Sequence, residues 1–208
     1  MIPIMPTFLP GRFRIVAGTR ADYLALRCFH YRQHDPRTWA AIWAIRYAAR
    51  DAPIADERAI AVGVLSWPTA VNGGRDRAFR LTGLRYGQKI AFANANVRTI
   101  SRVIVHPQFR SLGLASALVR WLCTHCPTRY VEASAQMGRA HPLFVAGGMT
   151  RITGTPADKP VYYLFDRERP SEGPNHAQAK PEDGAVDRRD EPLDEADRRT
   201  AGGDGNAA

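Results

Sequence analysis

Apolar residues fall in short blocks along this chain, and each block implies an element. Residues 12–18 read as a first strand. Thr19 is placed to cap a helix, with Asp22 three residues on, and Leu24, Leu26, Cys28 and Phe29 give that helix a buried side through about residue 30. Residues 31–37 are polar and irregular. Residues 39–49 read two ways. Ile42, Trp43, Ile45 and Tyr47 fit a strand, whereas the Ala-rich flanks fit a helix. Residues 59–67 form an apolar run ended by Pro68, the mark of a buried strand. Asn72-Gly73-Gly74 is a turn signal, and residues 75–97 show no clear period and read as substrate-facing loops. Residues 98–105 predict a strand. Residues 113–126 predict a helix, with Leu114, Leu118 and Leu122 at four-residue spacing and Pro127 just beyond. A strand follows over 130–134, and a short helix over 141–146 is closed by Gly147-Gly148. Residues 149–154 and 161–165 predict a final hairpin. There is no internal repeat. This order implies an α/β class, with a mixed sheet carrying helices on its faces.

Composition divides the chain. Residues 169–208 contain one Leu, one Val and no aromatic, so they cannot bury enough apolar surface to offset the entropy of ordering. A folded domain is expected over 1–168 and a disordered charged tail over 169–208. The tail holds 6 basic and 10 acidic residues of the chain's 29 and 20, which leaves 23 and 10 in residues 1–168, net +13. Such a surplus suits nucleic acid, a phosphorylated cofactor or another acidic partner. It is equally the mark of an arginine-rich composition serving solubility. The acidic tail could screen the basic face when no partner is bound. No apolar run is long enough to span a membrane. The first ten residues are interrupted by Pro3, Pro6 and Pro10 and lack the features of a signal peptide. Three cysteines, an odd number, argue for a reducing cytoplasm. Cys123 and Cys126 lack the second pair that a structural zinc needs, so no metal is expected.

The chemistry concentrates in residues 101–116. The β-branched run Val103-Ile104-Val105 stops at His106-Pro107, and Arg110-Ser111-Leu112-Gly113-Leu114-Ala115 then opens the amphipathic helix. Strand, turn and helix N-terminus together aim unpaired amides and a helix dipole at one point, an arrangement suited to a phosphorylated anion. The plainer reading is a structural βα turn.

This stretch resembles the cofactor motif of the GNAT superfamily of N-acetyltransferases, (Arg/Gln)-x-x-Gly-x-(Gly/Ala) after a strand ending in V-x-P-x-x-R. The match is Val105-His106-Pro107-Gln108-Phe109-Arg110-Ser111-Leu112-Gly113-Leu114-Ala115, and Phe144-Val145-Ala146-Gly147-Gly148-Met149 is similar to that family's ending. The resemblance covers residues 98–150 well and 12–97 loosely. It implies a mostly antiparallel central sheet splayed at the cofactor site and flanked by helices. It also implies acetyl-CoA, or another acyl-CoA, as cofactor. The amides of Leu112, Gly113, Leu114 and Ala115 would hold the pyrophosphate, Arg110, Ser111 and Ser116 would also bind the cofactor, and the pantetheine arm would lie beside Val103, Ile104 and Val105. The implied reaction is direct attack by an amine on the acyl carbonyl, the acceptor being a small molecule or a protein. A homodimer is compatible with it.

The usual acid and base are missing. Many members carry a carboxylate in the strand before the motif, yet Ile100-Ser101-Arg102-Val103 has none, and Phe144 stands where many place a tyrosine. Glu132 is the only acid between Asp76 and Asp158. In an apolar strand it needs a partner, and Arg102 on the neighbouring strand is the obvious one. A structural Arg–Glu pair and a catalytic base are both open readings of Glu132. His141 has the pKa range for proton transfer, but it also suits a helix cap. Ser101 and Ser134 could position water or substrate, or serve as ordinary sheet hydroxyls. His30, Tyr31 and Arg32, after the first helix, are expected to face the substrate. A fainter similarity is to the phage Mom DNA-modification protein, on the His30-Tyr31 pair, Arg102 and the absent strand carboxylate. Three readings follow: an N-acyltransferase, an adenine-modifying enzyme of Mom type, and an inert module that keeps the cofactor loop.

Overall fold

The computed structural model describes residues 12–31, 34–48, 57–154 and 156–169. The expected tail from residue 170 on, and Arg32, lie outside these residues. The elements are β1 (Arg12–Ala17), α1 (Arg20–Leu26), β2 (Ala41–Ala48), β3 (Arg58–Ser66), α2 (Gly73–Ala78), α3 (Tyr86–Asn96), β4 (Val97–Val105), α4 (Leu114–Thr124), β5 (Tyr130–Ala135), α5 (Leu143–Ala146), β6 (Thr150–Arg151) and β7 (Val161–Asp166). The seven strands form one sheet in the order β1-β2-β3-β4-β5-β7-β6. Every neighbouring pair is antiparallel except β4 and β5, which run parallel. This is the mixed, mostly antiparallel α/β architecture that the sequence implies.

Local chemistry explains where elements begin and end. The Asp22 N–H donates to Thr19 Oγ1 at 3.2 Å, and the Thr19 N–H donates to Asp22 Oδ2 at 2.8 Å, a reciprocal cap. The helix stops at Leu26 rather than residue 30 and tightens into a 3₁₀ turn, Arg27–Phe29. Its buried stripe is narrower than expected, because Tyr23 and Leu26 pack inward while Leu24 and Cys28 are exposed. The ambiguous stretch 39–49 is the strand β2, paired along both edges with β1 and β3.

Most of residues 75–97 is helical, with a loop only over 79–85 between α2 and α3. Asn72 caps α2 instead of making a turn, its Oδ1 accepting the N–H groups of Gly74 (3.0 Å) and Arg75 (3.3 Å). Lys89 of α3 then bonds Asp76 of α2 at 2.7 Å. Both helices lack an apolar stripe, since Ala93 is the one buried residue of α3, and so no helical period was visible.

The core has two layers. On one face of the sheet, Leu114, Leu118, Val119, Leu122 and Cys123 of α4 pack on Ile45, Ala61, Leu65, Val131, Ala133 and Tyr163. On the other, Tyr23 and Leu26 of α1 pack on Val62, Val64 and Ile104. Burying each such large side chain contributes roughly 1.5–3 kcal/mol. The α4 anchor matters most here, because it holds that helix's N-terminus rigidly at the sheet.

Candidate functional site

Strands β4 and β5 pair only from Val97–Tyr130 to Ile100–Ala133. Beyond that point β5 continues to Ala135 with β7 as its partner, while β4 continues to Val105 with β3. The sheet therefore opens between them. A bulge marks the fork: Arg102 faces Val64 and Ile100 faces Leu65, which leaves Ser101 as the extra residue. The bulge switches the alternation of faces, so Ile100 joins the α4 layer and Ile104 the α1 layer. Ser101 Oγ lies 2.7 Å from Ser66 Oγ, which donates to Thr38 O at 2.6 Å.

The backbone of β4 past the fork is directional. The His106 N–H donates to Ile60 O at 2.8 Å, so in an antiparallel ladder Ile104 also bonds β3. The backbone groups of Val103 and Val105 then face the opening. Consistent with this, Val105 O accepts from Arg110 Nε at 3.3 Å.

The turn after β4 lies at the end of the opening. Ser111 has φ +66° and Gly113 has φ +75°. Gly113 caps α4, and a Cβ added there would meet no atom within 4 Å, so the space above it is clear. Ala117 is the first residue to bond back, its N–H donating to Gly113 O at 3.0 Å. The N–H groups of Leu114, Ala115 and Ser116 therefore have no acceptor within the helix. Arg110 also reaches Phe29 O at 3.3 Å, tying this turn to the 3₁₀ segment before the stacked rings of His30 and Tyr31 (4.7 Å apart, 29° between planes). Three free N–H groups, a helix dipole and open space suit a phosphorylated anion.

Glu132 is fully buried, and its partner is not Arg102. Arg75 of α2 grips it instead, with Nε 2.9 Å from Oε2 and Nη2 2.6 Å from Oε1. Thr99 Oγ1 donates to Oε1 at 2.7 Å and the Tyr162 hydroxyl to Oε2 at 2.8 Å. Burial alone would lower the basicity of Arg75, but its hydrogen bonds to Glu132 and the charge there raise it overall. Burial first, then the Glu132 charge, push the Tyr162 phenol far upward. The expected Glu132–Arg102 pair fails because the fork carries Arg102 away from β5. Arg102 turns under the 27–40 connection, where it donates to Ser101 O (2.7 Å) and His34 O (2.5 Å). Sequence reasoning missed Arg75, Thr99 and Tyr162. The one available signal was that a lone acid in an apolar strand demands a cation.

The remaining candidates scatter. His141 is exposed and its Nδ1 accepts the Leu143 N–H at 3.2 Å, which caps α5. Phe144 packs against Tyr163 (5.1 Å), whose hydroxyl donates to Gly138 O at 2.7 Å. Ser134 is exposed. Cys123 is buried, and burial pushes its thiol far above the ordinary range. Among the described residues no three His, Cys, Asp or Glu side chains converge as a metal site, and no helix is long and apolar enough to cross a membrane.

No curated protein sequence matches the chain significantly. Solved structures with a similar course include a GNAT-family acetyltransferase from Bacillus cereus, at 14% identity over 76% of this chain and 99% of that one, TM-score 0.44. An aminoglycoside acetyltransferase in complex with coenzyme A and kanamycin matches at 15% identity over 76% and 96%, TM-score 0.43. The KacTA–DNA complex matches at 13% over 76% and 94%, TM-score 0.42. The family model described as acetyltransferase (GNAT) family matches residues 24–145, a span from α1 to α5 that takes in the fork, the bulge and the glycine-capped helix. On that match the chain belongs to the GNAT acetyltransferase family.

Proposed function

We propose that the protein is an N-acyltransferase that draws its acyl group from an acyl-CoA, acetyl-CoA in the simplest case, and passes it to an amine. The observation that carries this reading is the parting of β4 from β5 at Ile100, with the glycine-capped N-terminus of α4 at the end of the opening. The residues present fit the cosubstrate. The N–H groups of Leu114, Ala115 and Ser116 would hold its diphosphate, beside an open space that a side chain at residue 113 would enter. The free edge of β4 would hold its extended amide arm. When bound, it supplies an activated thioester carbonyl.

The chain's own contribution is placement and charge. A Val103 or Val105 N–H, facing the opening, is positioned to stabilise negative charge developing on the acyl oxygen. Holding amine and carbonyl together supplies much of the rate. Glu132 supports the fork rather than taking a proton, because both its oxygens are engaged by Arg75, Thr99 and Tyr162. Ser101, held at the bulge, is a positioning residue.

Titration calorimetry with acetyl-CoA tests the reading, using the unmodified protein and Gly113→Asp. Aspartate tolerates the left-handed backbone at this position and adds a negative charge at the anion site. Saturable binding by the unmodified protein and weakening of at least ~10-fold by the substitution are expected, with unchanged far-UV circular dichroism. Failure of the unmodified protein to bind acetyl-CoA would sink the proposal.

A further inference from the structure

Ten acids precede residue 169, and eight of them fall among the described residues. Every one of the eight is already bonded to a cation. Asp22 holds Arg46 (2.7 Å), Asp35 holds Arg27 (3.5 Å), Asp76 holds Lys89 (2.7 Å), and Glu57 holds Arg14. Glu132 holds Arg75 at 2.6 Å. On and near β7, Asp158 holds Lys159, while Asp166 and Glu168 share Arg129.

Two of these acids are relevant to the opening. Glu132 is saturated, as described above. Asp35 lies on the connection over β4 and also accepts the Tyr23 hydroxyl at 3.2 Å. Glu132 is therefore not available to bind an ammonium ion or to take its proton, and Asp35 Oδ1 already carries both the Arg27 contact and the Tyr23 hydroxyl.

Arg102 has the opposite imbalance. It stands at the fork, 7% exposed, and none of the described carboxylates pairs with it. Among the described residues its guanidinium donates to two backbone carbonyls and lies beside the Tyr23 hydroxyl, and its buried Nε has no hydrogen-bond partner. Asp35 reaches it only through the Tyr23 hydroxyl, and a buried cation with no directly bonded described carboxylate projects a positive field into its surroundings, since burial reduces the screening that water and salt give an exposed charge. Arg110 adds a second positive charge at the mouth.

We infer that the acceptor is an anionic amine, one that carries a carboxylate or phosphate beside its amino group, and that Arg102 selects it against polycationic amines. This rests on the N-acyltransferase reading and names its substrate class. An ammonium ion several ångströms from an unpaired guanidinium is disfavoured by about 10- to 100-fold at the effective dielectric of a protein surface, and an anion is favoured to the same extent.

Matched acceptors test the inference, with coenzyme A release as the readout. Phosphoethanolamine is set against ethanolamine, β-alanine against propylamine, and spermidine represents the polycations. The two anionic arms separate phosphate from carboxylate. The anionic member of at least one pair is expected to be preferred at least ~10-fold in kcat/KM, with spermidine poorest. Arg102→Gln should remove that preference mainly through KM, lowering use of the anionic acceptor and raising that of ethanolamine, and Arg102→Lys should restore part of it. A merely structural arginine would lower all acceptors alike, and that result would overturn the inference. So would equal or better use of the cationic acceptors. Transfer to none of these amines, with acetyl-CoA still bound, would overturn the N-acyltransferase reading itself.

Discussion

Glu132→Gln separates a structural carboxylate from a catalytic one. The substitution keeps the shape of the side chain but removes the charge that faces Arg75, which is itself 2% exposed. Four donors converge on the carboxylate, at 2.6 to 2.9 Å. Removing one member of a buried pair typically costs about 3–5 kcal/mol, because the surviving charge stays buried without compensation. The amide oxygen retains part of the hydrogen bonding, so ~3 kcal/mol is the expected loss. For a chain of this size that lowers the melting temperature by roughly 6–12 °C, at about 2–4 °C per kcal/mol. Calorimetric melting at neutral pH measures the loss, and acyl transfer well below the lower midpoint measures the function. Turnover within about threefold of the unmodified protein is expected there. The double substitution Arg75→Met with Glu132→Leu should recover a large part of the stability, since an apolar pair of similar volume removes both desolvation penalties. A melting temperature unchanged within about 2 °C, together with a turnover loss of about 100-fold or more, would refute the reasoning and return Glu132 to the role of base.

Two further outcomes check the packing of the same region and of α4. A Cβ at residue 74 would lie 2.4 Å from Tyr162 Cγ, and Tyr162 cannot swing aside without releasing Glu132. Gly74→Ala should therefore cost ~1–3 kcal/mol in urea unfolding, and an unchanged midpoint would show that α2 does not pack there. Of the three cysteines, Cys28 is exposed, whereas Cys123 and Cys126 are buried and burial holds the Cys123 thiol protonated. An Ellman titration should thus find one fast thiol in the native protein and three after denaturation, and two fast thiols at the start would contradict the burial of α4.

What could be read in advance was whatever short-range rules govern. The Thr19–Asp22 cap spans three residues, and its hydrogen bonds form within the segment that specifies them. The strand–turn–helix of residues 101–116 is legible for the same reason: β-branched residues, a Pro stop, a glycine for positive φ and leucines at helical spacing each act locally. Elements whose faces carry little apolar pattern were not legible. β2 is settled by its two neighbours rather than by its own residues, and α3 hides because it buries almost nothing.

By itself, then, the sequence determined the α/β class, the strand–turn–helix of residues 101–116, the family resemblance and the surplus of positive charge. It also determined that Glu132 would need a cation. Which cation was decided by the tertiary structure alone, because Arg75 lies 57 residues away in a helix that shows no periodicity. The fork was likewise decided there: where β4 leaves β5 depends on partners donated by β3 and β7, and a strand's own residues do not record which neighbour its backbone will bond. Arg102 ends beside β3 and the 27–40 connection instead of beside Glu132 for that reason, and so no described carboxylate pairs with it directly.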